Sequence, residues 1–308
     1  MTNQNITFEK FLSSVSARDY IFQKTPYEEQ IAQAVQMIKD ADYVLLGAGA
    51  GMSLAAGAQY GGEFFQKNFA DFIERYGDGP YMRDMYSAGF YPYPDEESKW
   101  GYWSKQCMMA GIILDITPLH KALLSMLKSK KIFLLSTNAD GQFEKAGLNK
   151  NKIFTTQGDY FHIQCQRACH NKVYKAVDLF KQMDQARKNC KVPTYMVPKC
   201  PICGGPMEMH LRCDQYFVQD EDWYDAKGRF EDFLSECIDK NTVLLELGVG
   251  FNTPTIIRFP FEKLVREHEN MKLIRLNLNE AIVPENLGNR VIGINADIGK
   301  AIHDIGEK

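Results

Sequence analysis

Three glycines at alternating positions follow a short apolar run early in the chain. The run covers 43–46, and Gly47, Gly49 and Gly51 come directly after it, with further small residues up to Gly57. Because glycine has no Cβ, such a backbone takes positive φ and comes close to a phosphate, which then faces free N–H groups at a helix start. The stretch therefore indicates a strand that ends in a phosphate-binding turn. A tight turn that binds nothing is the alternative.

The spacing of these glycines differs from the G-x-G-x-x-G fingerprint of nicotinamide dehydrogenases. Met52 occupies the third glycine position if the count starts at Gly47, and Leu54 occupies it if the count starts at Gly49. The fingerprint also needs an acidic residue at the end of a second strand about 20 residues further on, which the sequence lacks. An ordinary nicotinamide dehydrogenase is therefore a poor match.

Two cysteine pairs have spacings typical of metal ligands. The pairs read CQRAC and CPICGG, and their members are Cys165, Cys169, Cys200 and Cys203. Four thiolates close a tetrahedron around zinc, and a site without an open position stabilises a fold rather than performing catalysis. We therefore predict a structural zinc site. The alternatives are buried free thiols or the replacement of one ligand. The candidates for that replacement are His162, His170 and Cys213.

Strands and helices alternate along the rest of the chain. Helical spacing of apolar residues at 28–40 precedes a strand at 42–46, and further buried-type strands follow. Near-continuous apolar strands separated by helices predict a parallel, doubly wound α/β sheet of the Rossmann type. Ligands bind beyond the carboxyl ends of the strands in such sheets. These ends are residues 47–53, 137–140, 248–253 and 277–280.

Two segments interrupt this alternation and predict the domain organisation. Residues 58–116 are rich in aromatic residues, glycine and proline. We interpret them as a helical and aromatic insertion, either a pocket wall or lid, or a satellite hydrophobic cluster. Residues 161–215 contain the cysteine pairs and predict a small zinc-binding module, with one helix at 173–190. Residues 1–160 and 216–308 then form the Rossmann-like domain.

Composition narrows the function classes. The 308 residues carry a net charge of −3 and the sequence pI is about 6.1, so no nucleic-acid partner is expected. No unbroken apolar run approaches the roughly 18 residues of a membrane span. The first residues, MTNQNITFEK, lack the charged-then-apolar pattern of a signal peptide. We therefore expect a cytoplasmic protein without a membrane partner.

Taken together, these features resemble the sirtuin family. Residues 49–57 (GAGMSLAAG) are similar to the family's GAGxSxxxG loop, and residues 137–147 (TNADGQFEKAG) to its QNxDxLHxxAG segment. Residues 248–254 (GVGFNTP) resemble its GTSxxVxP loop, Asn277 resembles the asparagine of its INxE strand end, and the cysteines fall in the expected interval. The match runs in order through 28–305. The resemblance implies a Rossmann-like NAD-binding domain with a structural zinc ion.

Several departures separate the chain from typical sirtuins. Gln157 stands where the family has its catalytic histidine, Val249 and Gly250 replace a Thr-Ser pair, and Gln59 and Tyr60 fall where Pro-Asp-Phe-Arg is usual. With these departures the sequence is most similar to the macrodomain-linked class M sirtuins. That resemblance implies mono-ADP-ribosylation of a lipoylated carrier protein related to the glycine-cleavage H protein. It also suggests a macrodomain hydrolase as a further partner.

The resemblance assigns roles to individual residues. Asn138 would bond the nicotinamide ribose, and Asp140 would bond the nicotinamide carboxamide. Gln157 cannot titrate as histidine does, but its amide would orient the sugar. A helix cap is the alternative role for Asn138 and Asp140. The residues expected to contact NAD are Gly49, Ala50, Gly51, Ser53, Gly57, Gln59, Tyr60, Asn138, Asp140, Gln157, Gly248, Val249, Gly250, Asn252, Asn277 and Asp297.

The residue type at position 157 determines which of the possible activities is expected. Loss of a general base typically costs about 10²–10⁴ in rate, so deacylation should be severely impaired. Transfer of ADP-ribose to a protein nucleophile is therefore the leading hypothesis. The alternatives are a deacylase that uses another base, a catalytically silent NAD sensor, and a Rossmann reductase outside the family.

Overall fold

The computed structural model describes residues 6–77 and 79–308. Residues 1–5 and 78, which fall inside the predicted ranges 1–160 and 58–116, lie outside the described residues. The strands are β1 (Tyr20–Ile21), β2 (Tyr43–Ala48), β3 (Lys131–Ser136), β4 (Ile153–Thr155), β5 (Gly158–Cys165), β6 (Val173–Lys175), β7 (Met207–Leu211), β8 (Thr242–Leu247), β9 (Met271–Asn277), β10 (Val283–Pro284) and β11 (Val291–Asn295).

The α-helices of the described chain connect these strands. They are α1 (Phe8–Leu12), α2 (Tyr27–Asp40), α3 (Ala50–Ala55), α4 (Gly62–Asn68), α5 (Ala70–Tyr76), α6 (Met85–Gly89), α7 (Glu96–Cys107), α8 (Thr117–Met126), α9 (Gln142–Lys145), α10 (Val177–Ala186), α11 (Glu221–Cys237), α12 (Arg258–Glu267) and α13 (Ile298–Gly306). A π-helical turn, Met108–Ile112, continues α7.

A six-stranded parallel sheet forms the centre of the protein, in the order β11-β9-β8-β2-β3-β4. The predicted doubly wound Rossmann-like sheet is therefore confirmed. The strand order reverses between β2 and β8, which pair along their whole length from Tyr43 opposite Thr242 to Ala48 opposite Leu247. In sheets of this kind the reversal opens a crevice at the carboxyl ends of the two strands. The glycines after β2 and β8 lie at this crevice.

Helices cover both faces of the sheet, which explains why its strands are apolar throughout. One face packs against α2, α8 and α13 through buried residues such as Ile31, Leu123 and Ile302. The other face packs against α1, α11 and α12, with Phe11 and Phe230 among the buried residues. Strands β2 and β8 are consequently buried at every position. Two covered faces leave the strand ends as the place where polar side chains meet.

A separate three-stranded antiparallel sheet, β6-β5-β7, carries the cysteine segment. The prediction of one helix over 173–190 is wrong. Val173–Lys175 is a strand that pairs with β5, and the helix covers only Val177–Ala186. Residues Asn189 and Cys190 have positive φ and turn the chain instead. A short strand of this kind depends on a distant partner, so the spacing of apolar residues within 173–190 does not reveal it.

The aromatic insertion is mostly helical and has a core of its own. Helices α4 to α7 surround Phe65, Phe69, Phe72 and Tyr102, all fully buried. Phe65 stacks on Phe69 with ring centroids 4.8 Å apart. The hydrophobic cluster, one of the two alternatives for this segment, is present, and a role as pocket wall or lid stays a prediction.

One segment, Glu96–Met126, which begins in the insertion and ends with α8, is long and apolar enough to cross a membrane by length and composition. It contains polar residues and is therefore not an unbroken apolar run. In the folded protein α7, the π-helical turn and α8 divide it, with residues 113–116 between the last two. Trp100, Tyr102 and Leu123 along it are fully buried. These three side chains therefore pack inside the protein, whereas Ile113 of the same segment is exposed.

Candidate functional site

Two glycine turns meet at the crevice between β2 and β8. The Gly49 N–H donates to the Leu247 carbonyl oxygen, and the Gly51 N–H donates to the Gly248 carbonyl oxygen, both at 3.0 Å. A Cβ at Gly51 would lie 2.7 Å from the Gly248 Cα, and Gly248 itself has φ of +62°. Only residues without side chains allow such backbone contact. Ala50, at the start of α3, is exposed next to this junction. The predicted phosphate-binding residues are thus brought together.

Gly248→Ala tests the glycine junction. We expect the free energy of unfolding to fall by at least about 1–2 kcal/mol, because alanine disfavours positive φ and its Cβ would lie 2.4 Å from backbone atoms of Gly51 and Met52. NAD affinity should fall as the turns separate. The matched control is Gly228→Ala in α11, where the new Cβ meets nothing within 4 Å and a gain of about 0.5–1 kcal/mol is expected. Equal stability and NAD binding in the two variants, measured by denaturant unfolding and calorimetry, would contradict the assignment.

Three polar side chains form a hydrogen-bonded array beside the glycine junction. Asn138 Nδ2 donates to the Gly49 carbonyl oxygen at 3.0 Å and to Ser53 Oγ at 3.1 Å. Ser53 Oγ donates in turn to the Asp140 carboxylate. Ser53 and Asp140 are buried, whereas Asn138 is half-buried. The array links the turn after β2 to the loop after β3 and fixes the Asn138 side chain at the end of the strands.

The hydrogen bonds of this array show whether Asn138 and Asp140 cap the following helix, which was the alternative to contact with NAD. Asn138 does not cap α9, because its amide is directed to Gly49 and Ser53. Asp140 does have a capping contact, since its Oδ1 accepts from the Gln142 N–H at 3.1 Å. Its other carboxylate oxygen, Oδ2, accepts the hydrogen bond from Ser53 Oγ. Asp140 therefore has a local structural role in addition to the predicted one.

The Gln157 loop lies against the Asn138 loop. The Tyr160 N–H donates to the Ala139 carbonyl oxygen at 3.0 Å, which joins the two loops directly. The Gln157 carbonyl oxygen accepts from the Arg212 N–H at 3.0 Å, so β7 holds the loop from the other side. The Gln157 side chain is half-buried. Among residues 6–77 and 79–308, no side chain or backbone group hydrogen-bonds its amide. That amide is available to a bound molecule.

Two tyrosines extend this site, and only one of them was predicted. Burial raises the pKa of Tyr60, and the nearby Asp140 carboxylate raises it further. Burial likewise raises the pKa of Tyr160 to about 12. Both phenols therefore stay protonated and can donate hydrogen bonds. Tyr160 was missed, although its position three residues after Gln157 was a signal. Gln59, by contrast, is exposed, and its contact with NAD remains a prediction.

Further residues expected to contact NAD follow β8 and β9. Asn277 Nδ2 donates to the Val249 carbonyl oxygen at 3.2 Å, and its Oδ1 accepts from the Glu280 N–H at 3.1 Å. Glu280, predicted only as the last residue of the strand end 277–280, accepts from the Phe251 N–H at 3.0 Å and lies against Gly250. Asn277 and Glu280 thus fix the loop after β8.

Three predicted residues are not joined to this array. Asp297 caps α13 by accepting from the Lys300 N–H at 2.8 Å, and Gly57 ends α3 with φ of +108°. Asn252 is exposed. Within the described chain, neither Asp297 nor Asn252 hydrogen-bonds another predicted residue of the site. Their contact with NAD stays a prediction.

A buried group of charges lies beneath the loop after β8. Arg275 donates to Glu246 at 2.7 Å and to Glu262 at 2.9 Å, and all three side chains are fully buried. Arg258 is buried beside them and donates to the Val249 carbonyl oxygen at 2.9 Å. The signal for this group was the presence of single charged residues inside the apolar runs TVLLEL and LIRL. Such charges need partners, because burial of an unpaired charge is costly.

The four predicted cysteines come together at one end of the β6-β5-β7 sheet. Sγ atoms of Cys165 and Cys203 are 3.8 Å apart, and those of Cys169 and Cys200 are 3.6 Å apart. A tetrahedral ion with zinc–sulfur bonds of about 2.3 Å needs a sulfur–sulfur distance of about 3.8 Å. Burial raises the pKa of Cys200, but bonds from the Cys203 and Ile202 N–H groups outweigh it and lower that pKa to about 6. The donor set fits structural zinc.

Removal of zinc should loosen the cysteine module. Cys165 and Cys200 belong to the same hydrophobic cluster as the fully buried Trp100. Because structural zinc contributes folding free energy directly, we expect a chelator to shift Trp100 fluorescence to longer wavelength. The measurement uses a protein in which Trp103 and Trp223 are replaced by phenylalanine, and added zinc should reverse the shift. Unchanged emission after complete zinc removal would contradict a structural role.

Known proteins are similar to this chain over most of its length, although it matches no family model. A protein ADP-ribosyltransferase from Staphylococcus aureus is 31% identical over 281 residues, which cover 91% of this chain and 87% of that protein. A probable bifunctional ADP-ribose hydrolase/ADP-ribosyltransferase from Fusarium oxysporum f. sp. cubense is 33% identical over 298 residues. The chain spans about half of that second relative, 48% of its length.

Solved sirtuin structures share the fold. A Sir2 homolog–NAD complex has a TM-score of 0.54 at 15% identity, covering 94% of this chain and 96% of that one. A Sir2 enzyme described for its mechanism and regulation has a TM-score of 0.52 at 14% identity, covering 91% and 96%. The 31% identity to the Staphylococcus aureus enzyme, the sirtuin fold and the cysteine cluster lead to one conclusion. The chain belongs to the sirtuin family of NAD-dependent protein ADP-ribosyltransferases.

Proposed function

We propose that this enzyme transfers ADP-ribose from NAD to a lipoylated carrier protein related to the glycine-cleavage H protein, with release of nicotinamide. The observation that carries the proposal is Gln157. The resemblance to sirtuins puts it where the family has its catalytic base, and among the described residues nothing hydrogen-bonds its amide. The bond from the Tyr160 N–H to the Ala139 carbonyl oxygen joins its loop to that of Asn138. An amide does not accept a proton near neutral pH, so the chain lacks at this position the group that deacylation uses. Transfer to a protein nucleophile needs positioning above all.

The other residues of the site support positioning of the reacting sugar. Cleavage of the bond between nicotinamide and ribose leaves positive charge on the sugar, and the acceptor nucleophile forms its new bond to the same carbon. Asn138, already held by Gly49 and Ser53, would hydrogen-bond the ribose. Asp140 and the protonated Tyr60 would hydrogen-bond the nicotinamide carboxamide. Fixed donors and acceptors of this kind lower a barrier because they need no rearrangement during the reaction.

The aromatic insertion supports a lipoylated acceptor. Tyr86 of α6 and Phe90, which directly follows this helix, are 74% and 51% exposed, and their rings form an edge-on pair with centroids 5.0 Å apart. Tyr160, three residues after Gln157, packs against the same hydrophobic cluster as Met85 of α6. An apolar surface therefore lies near the Gln157 loop. The lipoyl arm is apolar and ends in two sulfur atoms, and sulfur makes favourable contacts with aromatic rings.

Label transfer from NAD tests the proposal. The enzyme is incubated with NAD labelled in the ADP-ribose portion and with the carrier protein in lipoylated and unlipoylated forms. We expect label on the lipoylated carrier only, with release of nicotinamide. Label on both forms would contradict a requirement for the lipoyl group. No label on either form would overturn the proposed acceptor.

A hydrolase that removes ADP-ribose is proposed as a second partner. The support is the Fusarium relative, a probable bifunctional ADP-ribose hydrolase/ADP-ribosyltransferase. We propose that a separate macrodomain hydrolase acts on the product of this enzyme. Incubation of the labelled carrier with such a hydrolase should release ADP-ribose, and retention of the label would argue against the partnership.

A further inference from the structure

The cysteine cluster contains a fifth donor atom. His170 follows Cys169 directly, and its Nδ1 lies 3.1 Å from the Cys169 Sγ and 3.8 Å from the Cys200 Sγ. The Sγ atoms of Cys165, Cys169 and Cys200 and the Nδ1 of His170 all lie within 4.8 Å of one another. These four atoms form a possible zinc site without Cys203. Since zinc in structural sites binds four ligands, one of the five donors is in excess.

The other ring nitrogen of His170 has the partner expected of a metal ligand. His170 Nε2 lies 2.8 Å from the Tyr174 hydroxyl, and the two rings are 5.7 Å apart. Histidines that bind a metal through one nitrogen commonly donate the other N–H to a fixed acceptor, which sets the tautomer and the ring orientation. With the proton on Nε2, Nδ1 presents its lone pair to the cluster. Tyr174 lies in β6 and pairs with Ile163 of β5, so the sheet holds this partner in place.

Cys203 is the most replaceable of the thiols. Cys165 and Cys200 are buried, and Cys169 is the thiol nearest to His170, whereas Cys203 is exposed. We propose that His170 Nδ1 is a reserve zinc ligand that holds the fourth position when Cys203 does not. The site then alternates between four thiolates and three thiolates with one imidazole. Neither Cys203 nor His170 is individually required for retention of the ion, but the loss of both removes a necessary fourth ligand.

Zinc retention in the full chain tests this redundancy. Cys203→Ser and His170→Ala should each keep one zinc ion per chain during dialysis against a competing chelator. The double variant should bind zinc at least about tenfold more weakly, the size of effect seen when support for a zinc ligand is lost. Cys213→Ser is the matched control, because Cys213 is another exposed cysteine, and it should behave as the unmodified protein. Loss of zinc from Cys203→Ser alone, or undiminished binding in the double variant, would overturn the proposal.

X-ray absorption at the zinc edge identifies the ligand without use of the double variant. In Cys203→Ser the spectrum should contain the outer-shell scattering of a bound imidazole. If His170 only donates a hydrogen bond to the Cys169 sulfur, that scattering is missing and the proposal is wrong. The result remains decisive if the double variant does not fold.

Discussion

Asn138→Ala should lower the rate of nicotinamide release by about 10²- to 10³-fold, the loss typical for removal of one fixed hydrogen-bonding group from a reacting centre. The Asn138 amide is held by the Gly49 carbonyl oxygen at 3.0 Å and by Ser53 Oγ at 3.1 Å. Alanine removes the group that would orient the ribose. It also leaves Ser53 with Asp140 as its remaining partner in this array. Nicotinamide release measured by chromatography, with NAD and acceptor in excess, checks the prediction.

The matched control is Asn151→Ala. Asn151 is an exposed asparagine in the same connection between β3 and β4, and its change should leave the rate within about twofold, as expected for a surface position outside the site. Circular dichroism and NAD binding establish that both variants fold. An Asn138→Ala enzyme as fast as Asn151→Ala would mean that Asn138 is only a structural residue of the loop.

Arg275→Met should lower the free energy of unfolding by about 3–5 kcal/mol, the usual cost of removing one partner from a buried ion pair. The change leaves Glu246 and Glu262 buried without their principal cation. Arg275 also donates to the Ile282 carbonyl oxygen, so the segment after β9 loses a support. Because the neighbouring Arg258 holds Val249, weaker NAD binding should accompany the loss of stability.

Lys300→Met is the matched control, because it removes an exposed ion pair instead of a buried one. Lys300 pairs with Asp304 one helical turn away, and its side chain is 57% exposed. Exposed pairs of this spacing contribute about 0.3–0.5 kcal/mol. The free energies of unfolding of the two variants, measured in urea, should therefore differ by several kcal/mol. A similar small effect in both would contradict a stabilising buried ion pair of Arg275 with Glu246 and Glu262.

The sheet and its ligand-binding edge were predictable from the sequence because each depends on local pattern. Apolar runs such as KIFLLS and TVLLEL identify strands covered on both faces, and the glycines that follow β2 and β8 identify the crevice. The spacing within each cysteine pair is likewise a local feature of the sequence. Zinc coordination by His170 remained one of three candidate replacements, since only the fold brings its ring beside Cys169 and Cys200.

The parts that sequence reasoning missed depend on contacts between distant residues. Strand β6 exists because Ile163 and Tyr174 pair across the small sheet, and no periodicity within 173–175 reveals that partner. Tyr160 enters the site because its N–H bonds Ala139. Glu280 caps the loop after β8 from 29 positions further along the chain. Each of these required the three-dimensional arrangement of at least two loops.

The stoichiometry of the reaction tests the central claim most directly. The enzyme is supplied with NAD, a lipoylated carrier protein and an acetylated lysine peptide together. We measure nicotinamide, the mass of the carrier and any acetylated ADP-ribose. The account predicts one carrier-bound ADP-ribose for each nicotinamide released, and no acetylated ADP-ribose. Nicotinamide release matched by acetylated ADP-ribose, with the carrier unmodified, would contradict it and identify the Gln157 site as that of a deacylase.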